Sequence, residues 1–122
     1  METNGASDEE QPPGYERVEQ ELLRETFELD EVTAFFQTMA NSTRLTILYI
    51  LIEDGPVESA DLADAVDREQ NYLYHHLNEL EEADLVRKRR QNGTSVYELS
   101  PDGGQSVPRL LDAIDDYAAR IE

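Results

Sequence analysis

The chain has 122 residues, 28 of them acidic and ten basic, for a net charge of −18, and it contains no cysteine. That length supports one core rather than two, and the missing thiols exclude a disulfide framework, a thiolate metal site and a thiol redox switch. No charged-then-apolar leader is visible and the most apolar segment, 45–52, is far short of a membrane span, so a cytoplasmic protein without membrane contact is expected.

Residues 1–14, with Asp8-Glu9-Glu10 and Pro12-Pro13, read as a disordered acidic tail. Across 15–40, Val18, Leu22, Leu29, Val32, Phe36 and Met39 recur at helical spacing, with Asp30 a candidate cap between two helices. Asn41-Ser42 signals a new start. The helix that follows, over 43–53, points Leu45, Leu48 and Ile52 inward and stops at Asp54-Gly55-Pro56. Val57 is a short strand or extended link, and Glu58-Ser59 caps a brief helix over 60–66 with Leu62, Ala63 and Val66 inward. Asp67 with Gln70 fits a capping box for a helix reaching residue 83, whose narrow inward stripe is Leu73, Leu77 and Leu80. Two extended runs then flank Asn92-Gly93, a pair that favours the type I′ hairpin turn. After the Pro- and Gly-containing stretch 100–104, a last helix over 107–121 carries Leu110, Leu111, Ile114, Tyr117, Ala118 and Ile121.

The expected fold is mainly α with a small β-hairpin: a winged helix-turn-helix domain with flanking dimerisation helices. Its parts are the tail at 1–14, an N-terminal helical segment at 15–40, the winged domain at 41–100 and a dimerisation helix at 104–122. The apolar stripe Leu110, Leu111, Ile114, Tyr117 and Ile121, with Val18 and Leu22, exceeds what a small domain needs, so a symmetric homodimer is expected.

Charge placement points to double-stranded DNA. Residues 87–97 hold four bases, Arg87, Lys88, Arg89 and Arg90, and no acid, while the rest of the chain holds six bases and 28 acids. A basic hairpin on an acidic protein is where phosphates are met, and its tip, Asn92, Gly93, Thr94 and Ser95, suits a minor groove. An Arg-rich solvated edge strand is the plainer alternative. Residues 70–78 carry no formal charge, and their outward positions Gln70, Asn71, Tyr72, Tyr74 and His75 offer groups that bond base edges or phosphates. Arg44 is either a phosphate contact or a core-edge ion pair. His75-His76 lacks the partners of a metal site, His76 being expected to pack or bond internally. No phosphate-cradling glycine loop, metal constellation or nucleophile–base pair is present, so neither an enzyme nor a cofactor is expected. A winged-helix adaptor or general-transcription-factor module that binds proteins is the competing reading.

Residues 39–99 resemble the winged-helix domain of the ArsR and PadR-like transcription regulators. The likeness lies in Ala40-Asn41-Ser42-Thr43-Arg44 followed by apolar residues, in Asp61-Leu62-Ala63-Asp64-Ala65-Val66, in the run from Gln70 to Val86, and in Gly93-Thr94-Ser95-Val96-Tyr97-Glu98-Leu99. It implies a recognition helix in the major groove. The chain departs from the metal-sensing members, having no cysteine on the short helix and no histidine on the last one. Asp84 stands where glycine often ends the recognition helix, so positive φ is expected there. Nine of the ten bases are arginine. With the acid excess, that composition points to a haloarchaeal member working in molar salt, where the Debye length is about 3 Å, and the family resemblance extends to the haloarchaeal regulators of oxidative stress. Cations screening the acidic surface near DNA are expected to accompany such binding.

Overall fold

The computed structural model describes residues 13–121, and the side chains of 13–120. The acidic tail expected at 1–14 thus lies outside the described residues, except for Pro13 and Gly14, which are helical. The chain divides into two compact units between Gln37 and Thr38.

In the first unit, α1 (Pro13–Arg17) runs into a π-helical turn, Val18–Leu22. Arg24 and Glu25, at φ 56° and 60°, reverse the chain. The helix α2 (Leu29–Met39) follows and crosses the unit boundary. Its start is not capped by Asp30, which sits inside the first turn. Instead Glu31 reaches back to the Glu28 N–H at 2.8 Å, as in a capping box, and Glu19 accepts from the Leu29 N–H at 2.7 Å. Leu22, expected on the inner stripe, is 73% exposed, and Phe36 is exposed too.

The second unit begins with Asn41, whose side chain accepts from the Arg44 N–H at 3.1 Å and caps α3 (Ser42–Asp54). Seven of the eight residues 45–52 are apolar, so spacing placed the buried face only in part, with Leu48 as expected. Ile47, Leu48 and Leu51 are buried, whereas Leu45 and Ile52 are half-buried. After Gly55, at φ 75°, comes β1 (Val57–Glu58), then α4 (Ser59–Val66) and α5 (Gln70–Glu82). The expected Asp67/Gln70 capping box does not form. Asp67 is left-handed at φ 61° and ends α4, with its N–H on Asp64 O and that of Arg68 on Ala63 O, while Glu69 precedes α5 without a side-chain cap. The tight turn needs Asp67 for the preceding helix, which removes it from the next.

Leu73, Leu77 and Leu80 are fully buried, as expected, packing α5 on the core. Asp84 takes positive φ, 60°, and leads to β2 (Val86–Gln91) and β3 (Thr94–Leu99). The hairpin registers Val86 with Leu99 and Gln91 with Thr94, around Asn92 and Gly93 at φ 55° and 83°, both positive as a type I′ turn requires. Val57, the short strand or link of the sequence, pairs with Tyr97, so the sheet has three antiparallel strands in the order β1-β3-β2.

The last helix, α6 (Pro101–Ile121), starts well before the expected residue 107 and includes Pro101, Gly103, Gly104 and Pro108. Ser100 explains the early start: its Oγ accepts from the Gly103 N–H at 2.8 Å and donates to Asp84 O at 2.6 Å. Pro101 occupies the first helical position, where its missing N–H costs nothing. Gly103 is required sterically, because a β-carbon there would overlap the Leu85 carbonyl oxygen.

Candidate nucleic-acid interface

The outward face of α5 carries Gln70, Asn71, Tyr72, Tyr74 and His75, all exposed, and no acid in its first turn. The Tyr74 hydroxyl donates to Gln70 Oε1 at 3.3 Å, tying together two groups one helical turn apart. Asn71 makes no side-chain hydrogen bond among the described residues, leaving its amide free to donate and accept. An uncharged polar surface of this kind can bond base edges without bringing a carboxylate against phosphate.

Behind that face lies a buried polar couple. His76 is 5% exposed, and its Nδ1 accepts from Arg44 Nε at 3.0 Å. Burial lowers the imidazole's proton affinity, and the Arg44 and His75 charges lower it further, against a weaker raising effect of Glu79. Neutral His76 with a bare Nδ1 is the form this bond needs. Arg44 also donates to Thr38 O at 3.0 Å and lies 3.9 Å from Glu79, its side chain only 13% exposed. Of the two roles the sequence left for Arg44, the structure shows the internal one, with bonds to His76 and Thr38 and Glu79 nearby.

The hairpin sorts its four cations by face. Strand alternation puts Arg87 and Arg89 on one side, with Glu98, and Lys88 and Arg90 on the other, with Tyr97 and Ser95. Glu98 Oε2 is 2.6 Å from Arg87 Nε and 3.4 Å from Arg89 Nε. The Arg87 hydrogen bond is the main reason the Glu98 carboxyl is held below its ordinary range. Glu98 lies one residue beyond the acid-free stretch, which is why the sequence reading left it out. Counting outward from the Asn-Gly turn to its opposite number, Arg87, would have found it. Lys88 and Arg90 have no ion pair among the described residues. Arg90 instead clamps the tip, donating to Gly93 O at 2.8 Å and to Ser95 Oγ at 3.4 Å, while Thr94 Oγ1 donates to Gln91 O at 2.9 Å. Asn92, Gly93 and Thr94 are exposed and Ser95 half-buried.

The residues expected at a dimer contact are described separately in each unit. On α6, Leu110 and Leu111 are half-buried while Ile114 and Tyr117 are 50% and 63% exposed. The Ile121 side chain lies outside the described residues. In the N-terminal unit Val18 is half-buried and Leu22 exposed. That unit also has a hollow of about 590 Å³ lined by Glu16, Glu19, Glu25, Glu28 and Glu31, which would repel phosphate. Among the described residues no group of three or more His, Asp or Glu could hold a metal ion, and no helix is long and apolar enough to cross a membrane.

Residues 39–89 match the family described as a helix-turn-helix domain. The arsenical resistance operon repressor of Escherichia coli is 36% identical over 87 residues, spanning 71% of this chain and 71% of the repressor. Among solved structures, NolR from Sinorhizobium fredii is 30% identical with a TM-score of 0.69, covering 88% of this chain and 96% of NolR. A homodimeric winged helix-turn-helix DNA-binding domain from Mycobacterium bovis, a possible ArsR-family transcriptional regulator, superposes with a TM-score of 0.66 at 23% identity, over 77% of this chain and 86% of that domain.

Proposed function

The chain belongs to the ArsR-type winged helix-turn-helix transcription regulators, which bind DNA, and on that premise we propose that it acts as a homodimer on double-stranded DNA in concentrated salt. Each α5 enters a major groove through Gln70, Asn71, Tyr72, Tyr74 and His75. The hairpin from Arg87 to Ser95 lies against the flanking backbone or minor groove, with Lys88 and Arg90 as its available cations. The observation that carries this reading is the pairing of an uncharged exposed helix face with two cations that meet no carboxylate among the described residues, in a chain of net charge −18. A twofold arrangement would space the two helices about 34 Å apart, one turn of B-DNA.

The second copy is met through the exposed stripe of α6 around Ile114 and Tyr117, with Leu110, Leu111 and Ile121, and through Val18 and Leu22 of the N-terminal unit. The M. bovis domain, described as homodimeric, supports a dimer. The acid excess and single lysine favour a haloarchaeal cytoplasm, with cations held between acidic flanks and phosphate. Affinity then changes little with potassium chloride in the molar range, instead of falling with a slope of about −0.9 per phosphate contact.

Selection from random duplexes followed by footprinting tests the reading. The expected product is a palindromic site with half-sites about ten base pairs apart. Asn71→Ala should change the preferred base at one position per half-site. Absence of protection on any selected duplex would reject DNA binding in favour of a protein-binding winged helix.

A further inference from the structure

One exposed aromatic of α5 is held on both sides. The Arg68 guanidinium sits over the Tyr72 ring, 5.7 Å from its centroid, and the His76 ring meets Tyr72 edge-on at 4.9 Å and 70°. Tyr72 and His76 are four apart and share one side of α5, and Arg68 reaches that side from the turn before the helix. Both outer members are themselves anchored. Arg68 donates to Asp67 O at 3.2 Å, and His76 accepts from the half-buried Arg44. Arg68 has no ion pair among the described residues, although the chain has 28 acids. Its guanidinium is placed over a ring, where a planar cation gains from the π-face.

Tyr72 is 46% exposed. An exposed tyrosine without such neighbours would sample several rotamers and would lose that freedom on docking into a groove. We infer that Arg68 and His76 are positioning residues that preset the Tyr72 ring for base readout, making Tyr72 a specificity-determining residue. The inference rests on the reading that α5 enters a DNA groove. It assigns Arg68 and His76 no DNA contact of their own. Their influence passes through Tyr72 and appears in discrimination between sequences, not in affinity for DNA at large.

The test is a double-mutant cycle on the ratio of affinities for a selected duplex and a scrambled one, at fixed salt. Tyr72→Ala should lower that ratio about tenfold, the scale of one good base contact. Arg68→Lys keeps the charge but loses the planar stack, and His76→Gln keeps an acceptor for Arg44 but loses the ring edge. Each should lower the ratio about threefold while leaving affinity for scrambled DNA unchanged, and neither should lower it further in the Tyr72→Ala background. Full additivity with Tyr72→Ala, or an unchanged ratio in Arg68→Lys, overturns the inference while leaving DNA binding intact. Arg68 is exposed, so that variant decides the matter even where His76→Gln lowers the melting temperature. A wild-type protein that prefers no duplex overturns both the inference and the reading beneath it.

Discussion

Arg87 and Glu98 face each other across the wing, Arg87 Nε donating to Glu98 Oε2 at 2.6 Å, and the same carboxylate lies 3.4 Å from Arg89. A hairpin that carries four cations therefore has two of them engaged by one acid. The Glu98 side chain is 15% exposed while Arg87 and Arg89 remain open to solvent, so the pairing costs the wing much of its free positive charge on that face.

Removing the acid should strengthen DNA binding without regard to sequence. Glu98→Gln is expected to raise affinity for any duplex several-fold and to steepen the salt dependence, because Arg87 and Arg89 become available to phosphates. Arg89→Glu with Arg90→Glu should weaken binding to all sequences alike. Lys88→Gln should also weaken it uniformly and shift the nearly flat salt dependence by about one contact, towards binding that strengthens with salt. Fluorescence anisotropy over a potassium chloride series measures each. A Lys88→Gln protein with wild-type affinity would show that this face of the wing meets no phosphate.

Stability should fall on mild acidification. Burial and the Arg44 charge push His76 below its ordinary value of 6.5, so the unfolded chain takes up the proton first. The stabilisation from neutral His76 is complete above pH 6.5 and is lost as pH falls through the lower folded value. Glu98, also lowered, adds a second loss that begins below its ordinary 4.5. At the alkaline end, burial raises Tyr97 to about 12, so its contribution holds up to pH 10 and disappears between 10 and 12. Melting temperatures in constant salt from pH 4 to 8 should rise with pH, and His76→Gln should remove the loss that begins below pH 6.5.

Gly103→Ala should destabilise the winged unit by about 1–3 kcal/mol, as overpacking against an immovable group does. The added carbon meets the Leu85 backbone carbonyl, which cannot swing aside and already accepts the Ser100 N–H at 2.9 Å. Gly104→Ala, where a β-carbon meets nothing, is the control and should be neutral or slightly stabilising. Urea unfolding of the two variants separates them.

Ile114→Glu with Tyr117→Glu should yield a monomer by sedimentation at salt concentrations where the wild type is dimeric. Both positions are at least half exposed, so the fold should survive the change. DNA affinity should drop by orders of magnitude, since one recognition helix loses the partner that doubles its contacts. A doubly substituted protein that remains dimeric would place the contact elsewhere on the chain.

The sequence by itself determined the elements whose causes are local. Asn92-Gly93 specified the turn and hence the hairpin register, Leu73, Leu77 and Leu80 specified the buried side of α5, and Asp84 adopted the left-handed conformation its side chain tolerates. The run of uncharged residues from 70 to 78 was likewise visible without coordinates, and its outward members are exposed. Only the tertiary structure decided matters that depend on distant partners. Arg44 is bound to His76, 32 residues away, so part of its hydrogen bonding is spent inside the domain. α6 begins at Pro101 because Ser100 bonds Asp84, across a separation of 16 residues, and Gly103 fits against Leu85. On α3, where seven of the eight residues 45–52 are apolar, the spacing of apolar residues marks no single face, and packing selected Ile47, Leu48 and Leu51. Pattern reports what a residue prefers among its neighbours in the chain. Which donor finds which acceptor is settled only when burial removes water as the alternative partner.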